Sequence, residues 1–261
     1  METRETVRRR LDVFVLAGIV VAISATVAGI ALTGVKPAYF LQPTGALIVL
    51  GGTLGVTLIT TPRQALFNSA RRVFGLIWTS EMNRADVIEE IVGYVKTARN
   101  KGILAIEPLI PKVQDSFLRE ALWHTMDVQQ RPALQALLET KVRLCERQGE
   151  ADAKALEVAG GFAPTIGVLG TVVGLIDVLR QFSNVSAVAA GVGTAFVSTI
   201  YGLALANLIL LPAAHRIRSR VAETFEMHEL MMEGALCLFE GIHPSLVRER
   251  LNAFLREKHP Q

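Results

Sequence analysis

The sequence predicts an all-α, polytopic membrane protein with four transmembrane helices, a helical cytoplasmic domain between the second and third, and a helical cytoplasmic tail. Three observations carry that reading. With 51% hydrophobic residues and a mean hydropathy of +0.38, the chain is too apolar for an ordinary soluble domain of 261 residues. Its apolar residues are gathered into long runs with few or no charges, and at ~1.5 Å rise per residue a helix of about 20 such residues crosses a ~30 Å hydrocarbon core. Strand alternation and Asn-Gly or Asp-Gly hairpin turns are absent from the sequence.

The elements follow in order. Residues 1–12 read as a cytoplasmic N-terminus carrying Arg4, Arg8, Arg9 and Arg10. Residues 13–32 hold no charge and exceed the usual signal-peptide core of about 7 to 15 residues, so the run reads as a retained helix. A second run, 44–61, is shorter and broken by Gly51-Gly52, which membrane helices tolerate where small residues meet a neighbour. The short connection containing Lys36 makes residues 13–61 a hairpin of transmembrane helices 1 and 2. Residues 62–157 show helical periodicities, such as Val87, Ile91, Tyr94, Val95 and Leu134, Leu137, Leu138, and read as a cytoplasmic helical domain. Runs at 158–179 and 187–211, joined by RQFSNVS, form a second hairpin, so residues 158–211 hold transmembrane helices 3 and 4. Residues 212–261 read as cytoplasmic C-terminal helices with a stop at Gly241-Ile242-His243-Pro244.

Basic residues lie before the first run, after the second (Arg63, Arg71, Arg72) and after the fourth (Arg216, Arg218, Arg220), whereas the two hairpin loops carry only Lys36 and Arg180. The positive-inside rule then puts both termini and the central domain in the cytoplasm. A net charge of +3, from 27 basic and 24 acidic residues, gives no argument for nucleic acid. Cys145 and Cys237 are far apart without CxxC spacing or clustered histidines, so neither a disulfide framework nor a zinc site is expected. GxSxG, HExxH and GxxxxGK[ST] are missing, and Gly191-Val192-Gly193 lies inside an apolar run rather than after a strand, so no enzyme is expected.

The middle of each apolar run lacks Asp, Glu, Lys, Arg and His, although an intramembrane ionisable group is the usual mark of an ion relay. An ion-conducting role would therefore need a partner's carboxylate. Asp177 and Arg180, one turn apart near an end of the third run, form either a surface pair or part of an ion entrance. Pro164, Gly167, Thr171 and Gly174 fall on one stripe of the third run, and Thr194, Ser198, Gly202 and Ala206 on one of the fourth, with Thr199 at its edge. Small residues at such spacing serve close helix packing. Hydroxyls beside the glycines on both helices suit the wall of a cation path. Pro164 either kinks its helix or occupies a first turn, and Pro212, at the inner end of the fourth run, can simply end that span.

The blocks PTGALIVLGGT, RNKGILAIE, GGFAPTIGVLGTVVGLI, STIYGLALANLILLP and MMEGALCLFEGIHPSLVRERLNAFL, in this order across nearly the whole chain, resemble the MotA/TolQ/ExbB proton-channel superfamily. Specifically, they resemble the flagellar stator A subunits of the MotA/PomA type. The resemblance implies a homopentamer in the bacterial inner membrane, at the flagellar basal body, around a dimer of a MotB/PomB-like single-span, peptidoglycan-binding partner. That partner's membrane aspartate would carry a proton or sodium ion, with no cofactor or metal bound. It further implies that Thr171 and Thr199 line the ion path, that Ser198 stands where sodium-driven members have an extra hydroxyl, and that Pro164 and Pro212 couple ion flow to torque. Arg99 and Glu107 would contact a FliG-like rotor switch protein, against the plainer reading of a solvated helix face. Gly167, Gly170, Gly174 and Gly202 are helix-packing positions. The alternative within the superfamily is a TolQ/ExbB-like energiser of outer-membrane transport, which normally has three spans and an outside N-terminus; the first hairpin favours the stator.

Overall fold

The computed structural model describes residues 10–11, 13–34, 37–76, 78–79, 83–180 and 185–256, and helix dominates them. In chain order, α1 covers Val13–Leu32, a 3-10 turn covers Pro37–Phe40, and α2 covers Pro43–Thr60, with Leu47–Gly51 wound as π-helix. Next come α3 (Arg63–Gly75), α4 (Arg84–Lys101), a 3-10 stretch (Ile103–Lys112) and α5 (Ser116–Asp127). α6 is one 50-residue helix, Arg131–Arg180. α7 (Val185–Ala204) passes through π-helix at Leu205–Leu210 into α8 (Leu211–Phe239), and α9 covers Pro244–Arg256. The expectations placed on residues 1–9, on Lys36 and on most of RQFSNVS lie outside the described residues. β-Structure, absent from the sequence reading, amounts among the described residues to a two-residue antiparallel pairing of Arg10–Leu11 with Trp78–Thr79.

Three helical stretches are long and apolar enough to cross a membrane, Pro43–Thr60 and parts of Arg131–Arg180 and Gly191–Phe239; α1 is a further apolar helix of 20 residues. Helix runs on beyond two ends of the apolar runs: α6 is already helical from Arg131, ahead of the third run, and helix continues past Pro212 to Phe239. A proline near the start of α8 loses a backbone donor, but the π-turn just before it shifts the local bonding so that Leu211 N–H donates to Ala206 O, five residues back.

The chain divides into two compact units. One holds Ser80–Gln148 and Arg220–Gln261, the other Arg9–Thr79 and Gly149–Ser219. Residues 62–79 and 149–157, grouped by sequence with the central helical domain, thus fall in the unit of the apolar helices.

The first unit is built around one buried apolar core. α4 is capped by Asn83, whose side chain accepts from Ala85 N–H, and it buries Val87, Ile88, Ile91, Val92 and Val95 on one face at helical spacing. Gly102, at φ +85°, ends it. Ile106 and Ile110 of the 3-10 stretch, Leu118 and Leu122 of α5, Leu134 and Leu138 of α6, Leu230 and Met231 of α8, and Leu251 of α9 complete the core. α9 packs on α4, where Arg248 reaches Glu89 through two bonds of 2.9 and 2.6 Å. The stop signal after α8 works through Gly241, at φ +65°, with Ile242 N–H donating to Cys237 O and Gly241 N–H to Leu238 O.

In the second unit, α2 and α7 pack together, and the chain before α2 is tied to α7 by side chains. Gln42 N–H donates to the Tyr201 hydroxyl at 3.3 Å, that hydroxyl donates to Phe40 O, and the Thr194 hydroxyl donates to Gln42 Oε1 at 3.2 Å.

Candidate functional site

Helices α6 and α7 meet along the stripe of small residues. A Cβ at Gly202 would lie 2.5 Å from Ala163 O, one at Gly167 3.0 Å from Ser198 O, and one at Gly174 2.8 Å from Ala195 N. Backbone touches backbone there, which only glycine permits. At the same level the Thr171 and Thr199 hydroxyls are 2.5 Å apart, and Thr171 Oγ1 also lies 3.0 Å from Ala195 O and 3.2 Å from Gly167 O. A hydroxyl has one proton, so a consistent arrangement has Thr199 donating to Thr171 while Thr171 donates to a carbonyl. Both threonines are half-buried.

Ser198 sits differently. Fully buried, it fits between two glycines: a Cβ at Gly170 would be 2.7 Å from its Cβ, and one at Gly45 of α2 2.6 Å from its Oγ. Its hydroxyl donates to Thr194 O one turn back at 2.7 Å, a bond that leaves the proton committed to backbone. In the chain by itself Ser198 is therefore part of the three-helix packing of α2, α6 and α7, one turn from Thr194 and adjacent to the threonine pair. Asp177 and Arg180 line a cavity of about 380 Å³ with Thr44, Gly191 and Thr194.

Pro164 lies in the interior of α6, not in a first turn, so Gly160 O loses the N–H it would otherwise accept. A Cβ at Gly160, one turn before Pro164, would fall 2.7 Å from the Leu211 side chain, so α6 and the start of α8 pack closely there. The two prolines, 48 positions apart in sequence, thus flank a close contact of the helix pair, Pro164 one turn after Gly160 and Pro212 next to Leu211.

Arg99, in the last turn of α4, and Glu107, in the 3-10 stretch that follows Gly102, are both exposed, and among the described residues neither forms an ion pair. They stand on the first unit.

Sequence reasoning missed a set of charges in the second unit. The Asp152 side chain, 3% exposed, binds Arg72 Nε at 2.7 Å, and the Ser69 hydroxyl lies 2.7 Å from Asp152 O. Arg218 joins Glu150 at 3.1 Å and Glu157; its hydrogen bond holds the Glu157 carboxyl below the usual range, and the two acids push the guanidinium up. The Glu150, Glu157 and Arg218 side chains are the sort of ordinary charges that surface helices carry, so spacing offers no signal for them. Asp152 and Arg72 are 80 positions apart.

Comparison with known proteins adds to this geometry. Residues 110–229 match the MotA/TolQ/ExbB proton channel family. The chain is 29% identical over 252 residues to Motility protein A of Bacillus subtilis (strain 168), covering 95% of this chain and 92% of that protein. It superposes on the flagellar MotAB stator complex from Bacillus subtilis with a TM-score of 0.84 and 28% identity, over 92% of this chain and 94% of that one. With C. jejuni MotAB the TM-score is 0.88 over 96% of this chain and 98% of that one; at 23% identity this likeness speaks for the fold.

Proposed function

We propose, from the match of residues 110–229 to the MotA/TolQ/ExbB proton channel family, that the chain is a flagellar stator subunit that forms an ion path with a MotB/PomB-like partner. The observation that carries the reading is the Thr171–Thr199 hydroxyl pair, set on a glycine seam between two helices whose apolar runs hold no carboxylate in their middle. A half-buried pair of hydroxyls can pass hydrogen bonds to water or to a partner's side chain. It cannot itself bind and release a proton near neutral pH, so the titrating carboxylate comes from the partner. The similar Bacillus subtilis structure is a flagellar MotAB stator complex, which supports a MotB-like partner for this chain.

The finer features belong to this proposal. The chain spans the inner membrane four times, with α1 and α2 as the outer hairpin, α6 and α7 as the pore pair, and both termini with residues 62–157 in the cytoplasm. Five copies surround the partner dimer. Arg99 and Glu107 meet a FliG-like rotor protein, and Pro164 and Pro212 convert the ion cycle into movement. Between proton and sodium, full burial of Ser198 and its bond to Thr194 O support a packing role for that serine, although its oxygen keeps lone pairs that a cation can use.

The test is ion flux in proteoliposomes. This subunit alone should conduct at background, and co-reconstitution with the single-span partner should restore flux. Titration against sodium at fixed pH, with and without a protonophore, identifies the ion. Robust selective flux from the subunit alone would overturn the proposal.

A further inference from the structure

Helix α3 has two faces of opposite character. Its inner face carries Ala65 and Ser69, both buried, and Arg72, and it is pinned to α6 by the bonds of Ser69 and Arg72 to Asp152. The opposite stripe, at i, i+4, i+7, i+8 and i+11, is Arg63, Phe67, Ala70, Arg71 and Phe74, all exposed. Phe67 and Phe74 are 67% and 76% exposed, and the Arg63 guanidinium stands 5.8 Å over the Phe67 ring. Two bare phenylalanines alternating with arginines are costly in water and suit the boundary between lipid head groups and acyl chains, where the ring enters the apolar side and the guanidinium meets phosphate. Position agrees: only Thr61 and Pro62 separate α3 from α2, a helix long and apolar enough to cross a membrane.

The geometry points to α3 as an interfacial helix that collects anionic phospholipid on its Arg63/Phe67/Arg71/Phe74 face. Two arginines without a carboxylate on the stripe make the face attractive to a negatively charged leaflet and indifferent to a zwitterionic one. Asp152, on the far side, neutralises Arg72 and keeps the helix in the orientation that presents the other two arginines outward. The inference rests on α2 crossing the bilayer and is independent of ion conduction.

Tryptophan scanning tests it. In a Trp78→Phe/Trp123→Phe background, single tryptophans are placed by Phe67→Trp, Phe74→Trp and, within α2, Leu58→Trp. The full-length protein is reconstituted in mixed phosphatidylglycerol and phosphatidylcholine bilayers with one lipid or the other brominated. The expected result is stronger quenching of the α3 tryptophans by brominated phosphatidylglycerol, reporting local enrichment of roughly fivefold for each arginine at low salt. That excess should shrink as salt rises and vanish in Arg63→Gln/Arg71→Gln, while Leu58→Trp is quenched by both lipids alike. Equal quenching of the α3 tryptophans by both lipids would overturn the inference. So would no quenching at α3 with Leu58→Trp still quenched, which would mean that a second copy or another protein covers this face. Loss of quenching at Leu58→Trp as well would instead overturn the membrane reading of α2.

Discussion

The hydroxyls of Thr171 on α6 and Thr199 on α7 share a 2.5 Å hydrogen bond while Thr171 also approaches the Ala195 carbonyl, so the pair is at once a fastening and a polar point in an apolar seam. Valine keeps the shape of threonine without the hydroxyl. Thr171→Val and Thr199→Val should each cost about 1 kcal/mol of stability, and the double variant should cost less than the sum of the two. Ion flux with the partner should fall in both single variants and survive in Thr171→Ser. Full flux in both valine variants, at normal protein levels, would leave the pair a packing feature.

Backbone contact at the seam predicts a contrast between glycines. A Cβ at Gly202 would meet Ala163 O at 2.5 Å, whereas one at Gly161 meets nothing within 4 Å. Gly202→Ala should destabilise by about 1–3 kcal/mol or more through overpacking, and Gly161→Ala should be neutral or stabilising by up to about 1 kcal/mol. Melting of the detergent-solubilised chain reads both.

Pro164→Ala restores an N–H to Gly160 O in the middle of α6. The variant should assemble at normal levels and gain stability, up to about 3 kcal/mol, while torque measured on tethered cells falls. Failure to assemble would make the proline architectural.

Because Arg99 and Glu107 are exposed and without ion-pair partners among the described residues, reversing either charge should move stability by less than about 0.5 kcal/mol. Swimming should nevertheless fall, with partial recovery when a complementary charge is reversed on the rotor. Unchanged motility in both reversals would leave a plain solvated face.

His228 stacks on Phe117 at 4.3 Å, and burial lowers its pKa, opposed by Asp115. A base with a folded pKa below its unfolded value of about 6.5 binds fewer protons when folded, so stability rises with pH through this window and is lost as pH falls below about 6.5. His228→Phe should retain the stack and flatten that part of the stability curve. Melting points between about pH 5 and 8 check it.

Much of the architecture was legible from periodicity alone. Val87, Ile91 and Val95 recur at helical spacing because one face of α4 must be dry, and Gly241 before His243-Pro244 marks a helix end because a left-handed residue there costs glycine nothing. Helix continuity was not legible at 158 or at Pro212. Hydropathy reports where composition changes, and a helix can pass from a polar stretch into an apolar one without a break, as α6 does.

The sequence by itself determined the apolar runs, the want of a carboxylate in their middle and the small-residue stripes, since each depends on local composition and on the 3.6-residue period. Only the tertiary structure decided that Ser198 turns into the junction of Gly45 and Gly170 while Thr171 finds Thr199, and that Asp152 is buried against Arg72. The physical reason is that periodicity names the face of a helix but not its neighbour: which helix lies across from it is fixed by long-range packing, where a few tenths of an ångström of backbone approach choose the partner.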